Sequence, residues 1–464
     1  MNKILTVLFF TILSLDFRGQ VEGGGLFQSS IVVISCALGA ALVLVNFQAF
    51  AQLPQNTRLI AFMLLAVVAI SGLVFLKNSL VFDSYIRVVI PVVISAFSFC
   101  AVATFVRNYS DFNFVVRVLI GSAILSAIWR FYYSSQVVGI SLNDARYQIL
   151  SVGTSFLLAY SIYRVFLGGS KLWFPFWIVI FLASLSVIFL SITRSYLLAV
   201  LVVLLASTWV FFVAGYGVWR SSLRIRFISS IAAMSLIAFF AVVPLMLVFR
   251  PDVLYTWTWR IFDTKGANAA VDPTAGIRIA QVIGQVEEFR GNEIDILFGR
   301  GFGAFFTMNR EFVLRYATAG NVREEDIVRM GMPLWQNPDT TYVPALFSGG
   351  LFFLFLISSM FYLALKPLLY INRITDRWVL DTYVPLAFCV LFFFVSGWFG
   401  NLLLDRYGSA LFGGLIALIL FMVNITPALR GQRTFVAGLN PGQAVIPNPA
   451  HRQRNKGALS PRAL

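Results

Sequence analysis

A glycine-rich turn contains the first residues whose types and spacing suit chemistry. Residues 297–306 read LFGRGFGAFF, with Gly299, Gly301 and Gly303 at every second position and Arg300 between two of them. Glycine lets backbone N–H groups approach an anion closely, and a guanidinium binds phosphate through two parallel hydrogen bonds. The segment therefore predicts a phosphate-binding turn, although a tight turn with nothing bound fits the same residues.

Two further arginines are candidates for the same kind of anion. Arg194 stands between two apolar runs with only serine and threonine beside it, and a charge at membrane depth is costly unless it is paired or solvated. Arg278 follows Asp272 and Pro273, a pattern that predicts the start of a helix, where anions bind well. The alternatives are a snorkelling side chain for Arg194 and a solvated surface charge for Arg278.

Carboxylates are the candidates for a general base, because the one histidine, His451, lies in the C-terminal tail. Asp339 stands just before an apolar run, and Glu287 or Glu288 lies in the amphipathic stretch expected after Pro273. Any of these groups can take a proton from an attacking hydroxyl. For Asp339, a helix-capping function is equally consistent with its position.

An aromatic segment, RFYYSSQVVGISLNDARYQ (130–148), supplies groups suited to a sugar. Tyr132 and Tyr133 can stack on sugar rings, while Arg130 and Arg146 can reach hydroxyl or phosphate groups. The alternative is a belt of interfacial aromatic residues, which membrane proteins commonly carry.

Long apolar runs must position all of these residues. Hydrophobic residues make up 59% of the chain and charged residues 12%, about half the charged fraction of a soluble domain. Runs near the length of about 20 residues that crosses a bilayer predict an all-α polytopic membrane protein. A signal peptide is the alternative for the first run, but no clean cleavage site follows it. The 12 predicted spans are 3–17, 31–50, 59–76, 86–106, 115–130, 148–166, 172–192, 195–217, 228–249, 342–366, 383–403 and 408–427.

The positive charge predicts the orientation, since Lys and Arg concentrate in cytoplasmic loops. With both termini inside, 18 basic and three acidic residues face the cytoplasm, so the whole net charge of +15 lies there. Nucleic-acid binding is not needed to explain that charge. Cys36, Cys100 and Cys389 fall within predicted spans, which favours small core residues over a disulfide or a metal site.

One connection is much longer than the others and faces outward by the charge count. It contains the glycine turn and an amphipathic helix in which Ile277, Ala280, Ile283 and Val286 or Glu287 follow at helical spacing. A Pro/Gly/Arg-rich tail after the last span is predicted to be a disordered cytoplasmic extension. The chain thus divides into helices 1–9 (1–249), a large loop (250–341), helices 10–12 (342–429) and the tail (430–464).

Five segments resemble the O-antigen ligase and O-antigen polymerase superfamily of bacterial inner-membrane proteins. The resemblance covers roughly 140–425, with the segments in the family's order: 191–205, 276–282, 297–306, 339–354 and 400–418. That family moves glycans from undecaprenyl diphosphate to an acceptor at the periplasmic face, and the resemblance implies no nucleotide sugar, metal or other cofactor. By position, Arg194 and Arg278 match family arginines that hold the diphosphate. Ligases usually have a histidine near the position of Asp339, and its lack here favours a polymerase.

The resemblance and the residues together predict a polysaccharide polymerase of the O-antigen or exopolysaccharide kind. Its partners would be an undecaprenyl-diphosphate-linked glycan and membrane lipids, with a chain-length regulator as an optional protein partner. An O-antigen ligase acting on lipid A–core with a base other than histidine is one alternative. A transporter or flippase is another, although its spans would be expected to carry more charge near the midplane.

Overall fold

The computed structural model describes residues 2–16, 26–137, 149–168, 171–191, 194–218, 273–289, 293–308, 334, 341–374, 376–398 and 405–430. Within these ranges the chain is almost entirely helical, and the single β contact is an isolated antiparallel bridge between Phe306 and Leu334. The α-helices are α1 (Asn2–Ser14), α2 (Leu26–Val45), α3 (Phe47–Phe50), α4 (Gln55–Lys77), α5 (Phe82–Phe105), α6 (Tyr109–Val137), α7 (Val152–Phe166), α8 (Phe174–Leu190), α9 (Arg194–Val218), α10 (Pro273–Glu287), α11 (Glu293–Phe298), α12 (Tyr342–Leu365), α13 (Arg377–Ser396) and α14 (Arg406–Ile425).

Eight helices of the described ranges are long and apolar enough to cross a membrane: α2, α4, α5, α6, α9, α12, α13 and α14. The apolar helices α1, α7 and α8 are shorter. Eleven of the twelve predicted spans overlap a helix, whereas 228–249 lies outside the described residues. The helical fold is therefore confirmed over these residues, with helices suited to a membrane, while the count of twelve spans stays a prediction.

Helices α5, α7, α13 and α14 form the interior of the bundle, and α7 and α14 are buried along most of their length. Cys100 and Cys389 are buried here, as the sequence predicts, and Cys36 on α2 is partly buried. The outer helices expose large aliphatic side chains such as Leu44 and Leu73. Because lipid tails are as apolar as these side chains, their exposure toward a membrane has little cost.

Glycine residues allow the inner helices to approach closely. A Cβ on Gly153 of α7 would lie 2.8 Å from the carbonyl oxygen of Ala123 on α6, and a Cβ on Gly413 of α14 would collide with the carbonyl of Ser95 on α5. Small residues at such crossings bring backbones together, and van der Waals contact then holds the helices where the hydrophobic effect is weak. The bundle interior is therefore tightly packed.

Contacts between helix ends sort the connections onto two faces of the bundle. Asp16, after α1, pairs with Arg406 at the start of α14, and Arg130 of α6 pairs with Asp405 just before α14, each at 3.1 Å. Lys77, the last residue of α4, pairs at the same end with a carboxylate of α11. We call this end the ion-pair face, defined by Asp16, Lys77, Arg130 and Asp405.

The opposite face brings the other helix ends together through a pair of amide side chains and through the carboxylate of Asp381. Asn2 Nδ2 donates to Asn46 Oδ1 at 2.8 Å, and Tyr163 OH donates to Asp381 Oδ1 at 2.7 Å. Arg377 adds an ion pair with Asp381 at 3.5 Å. Each of these contacts joins residues in or near span ends that the sequence predicts to lie on the same side of the membrane.

Helix α12 is broken at Gly350, which has φ 65° and ψ −168°. The sequence predicts one continuous span over 342–366, whereas the structure has a short segment (342–349) and a longer one (351–365). A break inside a membrane leaves carbonyl groups without helical partners, and these must be satisfied by protein. The glycine turn provides those partners.

Candidate functional site

The glycine turn, residues 299–303, adopts a backbone that only glycine tolerates well. Gly299, Gly301 and Gly303 have φ values of 81°, 104° and 79°. Glycine has no Cβ and enters this left-handed region without steric cost. A Cβ on Gly299 would collide with the carbonyl of Ser348, and one on Gly303 would collide with the backbone at Ser84. The alternating glycines thus let the turn pack directly against α12 and α5.

The backbone N–H groups of the turn bond to carbonyls of the protein. Arg300 N donates to Phe347 O at 2.8 Å, and Gly301 N donates to Ser348 O at 3.1 Å. The N–H of Gly299 donates at 2.7 Å to a carbonyl of α11. Two of these bonds satisfy the carbonyls that the break in α12 leaves open. The amides predicted to hold phosphate oxygens therefore have a structural function at these three positions.

The side chain of Arg300 lies in a cluster of alternating charges. Its Nη1 is 3.4 Å from Asp295 Oδ2 and its Nη2 is 3.2 Å from Glu288 Oε2, while Lys77 Nζ lies 3.1 Å from the other oxygen of Asp295. Asn78 Nδ2 donates to the carbonyl of Arg300 at 2.8 Å. The side chain of Asp295 is 2% exposed, so the ion pairs with these two cations offset the cost of burying its carboxylate. The cluster joins α4, α11, the glycine turn and Glu288, the residue that follows α10.

The other two predicted anion-binding arginines belong to helices of the ion-pair face. Arg194 is the first residue of α9, and the ring of Tyr196, two residues on, lies 5.8 Å from that of Phe392 near the end of α13. Arg278 lies in the first half of α10, which begins at Pro273 as the sequence predicts. The structure describes the backbone positions of these two arginines but not their side chains. Their predicted function therefore stays a prediction.

Two predicted site residues lie outside the described residues: Asp339, a candidate general base, and Arg146, a candidate for sugar binding. Glu287 is the last residue of α10 and is partly exposed, and its neighbour Glu288 is the one that pairs with Arg300.

Tyr132 and Tyr133 form an aromatic group with Trp129 near the end of α6. Their ring centroids lie 6.0 and 6.3 Å from that of Trp129, and Tyr132 is largely exposed. Rings gathered at a helix end suit both stacking on a sugar and placement at a membrane interface. Both interpretations of these tyrosines therefore remain predictions.

The position of Arg130 differs from the one expected for a side chain that reaches hydroxyl or phosphate groups of a sugar. Its side chain is 8% exposed and pairs with Asp405 at 3.1 Å, instead of reaching outward from the aromatic segment. Asp405 also caps α14 by accepting from Gly408 N at 2.7 Å. The sequence did contain a signal for this pair, since Asp405 and Arg406 are isolated charges between two predicted spans.

The buried side of α10 differs from the apolar side that the sequence predicts. Ala280 is fully buried, as expected, but Val286 is half exposed. Gln281 and Gln285 are buried instead. The helix therefore packs with part of its polar side inward, which helical spacing of the apolar residues alone does not reveal.

The ion-pair face gathers cationic and anionic side chains at the ends of apolar helices, where a bound anion would meet partly desolvated guanidinium groups.

Among the described residues, no group of three or more His, Cys, Asp or Glu side chains is arranged to hold a metal ion. Comparison of the chain with protein-family models finds no matching model, and comparison with curated proteins finds no match.

Proposed function

We propose that the chain is a polysaccharide polymerase that transfers glycan from an undecaprenyl-diphosphate-linked donor to a sugar hydroxyl at the periplasmic side of a bacterial inner membrane. One observation carries the proposal: arginine-bearing elements lie on the ion-pair side of the bundle. Helix α9 begins there with Arg194, and α10, which carries Arg278, is followed by Glu288, the ion-pair partner of Arg300. The cluster around Arg300 extends to α11 and α4. A concentration of guanidinium groups at one end of a membrane bundle suits a diphosphate headgroup.

The proposed chemistry is substitution at the anomeric carbon of the lipid-linked sugar. The acceptor hydroxyl forms a new C–O bond at that carbon, and the bond between the carbon and the diphosphate oxygen breaks with its electron pair leaving on the diphosphate. Arg194 and Arg278 stabilise the negative charge that develops on the leaving group. Arg300, about a third exposed, keeps N–H groups beyond its two ion pairs and supplies a weaker third contact.

A carboxylate takes the proton of the acceptor hydroxyl in this proposal. Asp339 and Glu287 are the two candidates, and neither step requires a metal or a nucleotide. Tyr132, Tyr133 and Arg146 are proposed to contact the sugars. The two tyrosines lie near the end of α6, beside Arg130 of the ion-pair face, and Arg146 follows that helix in the sequence.

The proposed orientation puts the ion-pair face in the periplasm and both termini in the cytoplasm. It includes 228–249 as the ninth of twelve spans and residues 250–341 as the large periplasmic loop. The sorting of helix ends supports this arrangement, because Asn2 of α1 and Asn424 of α14 both contact the opposite face, through Asn46 and Thr57.

The test is to replace the arginines in a strain that lacks the chromosomal gene. Arg194→Ala and Arg278→Ala should each lower the amount of long polymer about 100-fold, because removal of one group that stabilises a developing charge costs that order of rate. Polymer length is read on a gel, and membrane content of the protein by immunoblot.

The matched control is Arg107→Ala, an exposed arginine in the connection between α5 and α6 at the opposite face. It should leave polymer length unchanged. Normal polymer in both the Arg194 and Arg278 variants would overturn the proposal. Accumulation of full-length lipid-linked polymer in the deletion strain would instead identify a ligase.

A further inference from the structure

Helix α10 turns polar side chains toward the protein and apolar ones away from it. Gln281 and Gln285 are 6% and 2% exposed, whereas Ile279 and Val286 on the other side are 40% and 50% exposed. An amphipathic helix of a soluble domain has the reverse arrangement. The inward polar side therefore needs a specific explanation.

The two glutamines are buried with an unsatisfied acceptor each. Among the described residues, the Oε1 atoms of Gln281 and Gln285 have no hydrogen-bond partner. A buried polar atom without a partner is costly, and such groups are rare in native proteins. Two of them one turn apart on the same side of one helix leave two acceptors open to a hydrogen-bond donor at this place.

Contacts of the helix locate this place beside the glycine turn and the break in α12. Gly284, between the two glutamines in sequence, abuts the carbonyl of Thr307 closely enough that a Cβ would collide with it. The ring of Phe289 lies 5.8 Å from that of Phe347 in the short segment of α12. Glu288 continues the polar side and pairs with Arg300.

The chemistry of the carboxamide selects the kind of ligand. An Oε1 atom is an acceptor, so it suits a hydroxyl or an N–H group and repels a phosphate oxygen. Arg278 stands three residues before Gln281 and seven before Gln285, which places its helix position on the same side as both. From Arg278 to Gln285 the helix rises about 10 Å, a length that spans a phosphate group and an adjoining sugar ring.

We propose that Gln281 and Gln285 accept hydrogen bonds from hydroxyl or N-acetyl N–H groups of the sugar next to the diphosphate, and so form a glycan subsite of the donor. The inference rests on the proposed function and adds to it the recognition of the transferred sugar. The diphosphate lies toward Arg278 and the first sugar ring lies along the two glutamines.

The experiment measures binding of a glycan that carries no phosphate. The probe is the repeat-unit oligosaccharide released from its lipid diphosphate by mild acid, and titration calorimetry measures its binding to the full-length protein in nanodiscs. The double variant Gln281→Leu with Gln285→Leu should raise the Kd about tenfold or more, since two lost hydrogen bonds together correspond to at least that factor. Gln55→Leu, at an exposed glutamine in the first turn of α4, should leave the Kd unchanged.

A folding control accompanies the binding measurement. Leucine removes a buried unsatisfied acceptor, so the double variant should unfold at the wild-type temperature or above it. If the leucine variant does not accumulate, the Gln281→Met and Gln285→Met pair, closer in length to glutamine, is measured in its place.

The outcomes separate this inference from the proposed function. If the wild type binds the oligosaccharide, the glutamine variant loses that binding, and no polymer forms from lipid-linked substrate, the subsite stands and the polymerase proposal fails. If the wild type forms polymer and the variant binds and reacts with wild-type Kd and KM, the subsite is overturned and the polymerase proposal stands. Failure of the wild type to bind the oligosaccharide also overturns the subsite.

Discussion

The two faces of the bundle use charge in different ways. At the ion-pair face, Asp295 and Arg130 are almost fully buried, and each has an oppositely charged partner. At the opposite face, Asp381 is 27% exposed, its cation Arg377 is about half exposed, and a tyrosine hydroxyl supplies the short contact. The first face thus keeps desolvated charges in fixed positions, while the second keeps charges that water already stabilises.

The difference indicates what each face is built to do. A buried ion pair adds little net stability compared with apolar packing, but loss of one partner is costly because the other stays buried. A face that only anchors helix ends can use exposed pairs and neutral hydrogen bonds. Fixed cations at the ion-pair face are what binding of an anionic headgroup requires, which agrees with the function proposed for it.

The largest effect is expected at Asp295. Asp295→Ala leaves Lys77 and Arg300 without their shared carboxylate, and should lower the free energy of unfolding by about 3 kcal/mol, near the low end for a buried pair because both cations are partly exposed. Thermal unfolding of the purified protein measures the change. Glu293→Ala on the same helix, at an exposed position, should change it by less than about 0.5 kcal/mol. If the two variants have the same free energy of unfolding, the buried carboxylate of the ion-pair face does not stabilise the protein more than an exposed one does.

A smaller effect is expected at the break in α12. Gly350→Ala imposes a side chain at φ 65°, with a cost of about 1–3 kcal/mol, and its Cβ would also collide with the backbone at Leu297. The matched control is Gly121→Ala in α6, where a Cβ meets nothing within 4 Å. That change should be neutral or stabilise the helix by up to about 1 kcal/mol. Similar unfolding curves for both alanine variants would show that the broken helix does not need its glycine.

The smallest effect is expected at the opposite face. Asp381→Asn removes the charge that pairs with Arg377 but keeps an oxygen that accepts from Tyr163, so the free energy of unfolding should fall by about 0.5–1 kcal/mol. The same unfolding measurement applies. A loss as large as that of Asp295→Ala would mean that both faces depend equally on their carboxylates.

Apolar length allowed the sequence to predict most of the helices. The spans over 59–76 and 408–427 correspond to α4 and α14 within a few residues, because a run of that length has few other stable conformations in lipid. Proline and an acidic cap likewise predicted the start of α10 at Pro273. These signals are local, so one sequence suffices to detect them.

The partners of polar groups could not be predicted in the same way. Arg130 pairs with Asp405, 275 residues away, and no local pattern encodes that contact. The sequence predicts a continuous helix through Gly350, because the Gly349–Gly350 pair lies in an apolar run. The break depends instead on hydrogen bonds from the distant turn at Arg300. The burial of Gln281 and Gln285 in α10 could not be predicted, because the spacing of apolar residues alone does not show which side of a helix the protein covers.

The dependence of α12 on the glycine turn has a consequence for biogenesis. The carbonyls of Phe347 and Ser348 accept the N–H groups of Arg300 and Gly301, which the ribosome makes about fifty residues earlier. When this hydrophobic stretch leaves the translocon, its partner is already synthesised and available on the ion-pair side. The helix can therefore enter the bilayer already bent, and a chain with the turn deleted would have to insert it straight.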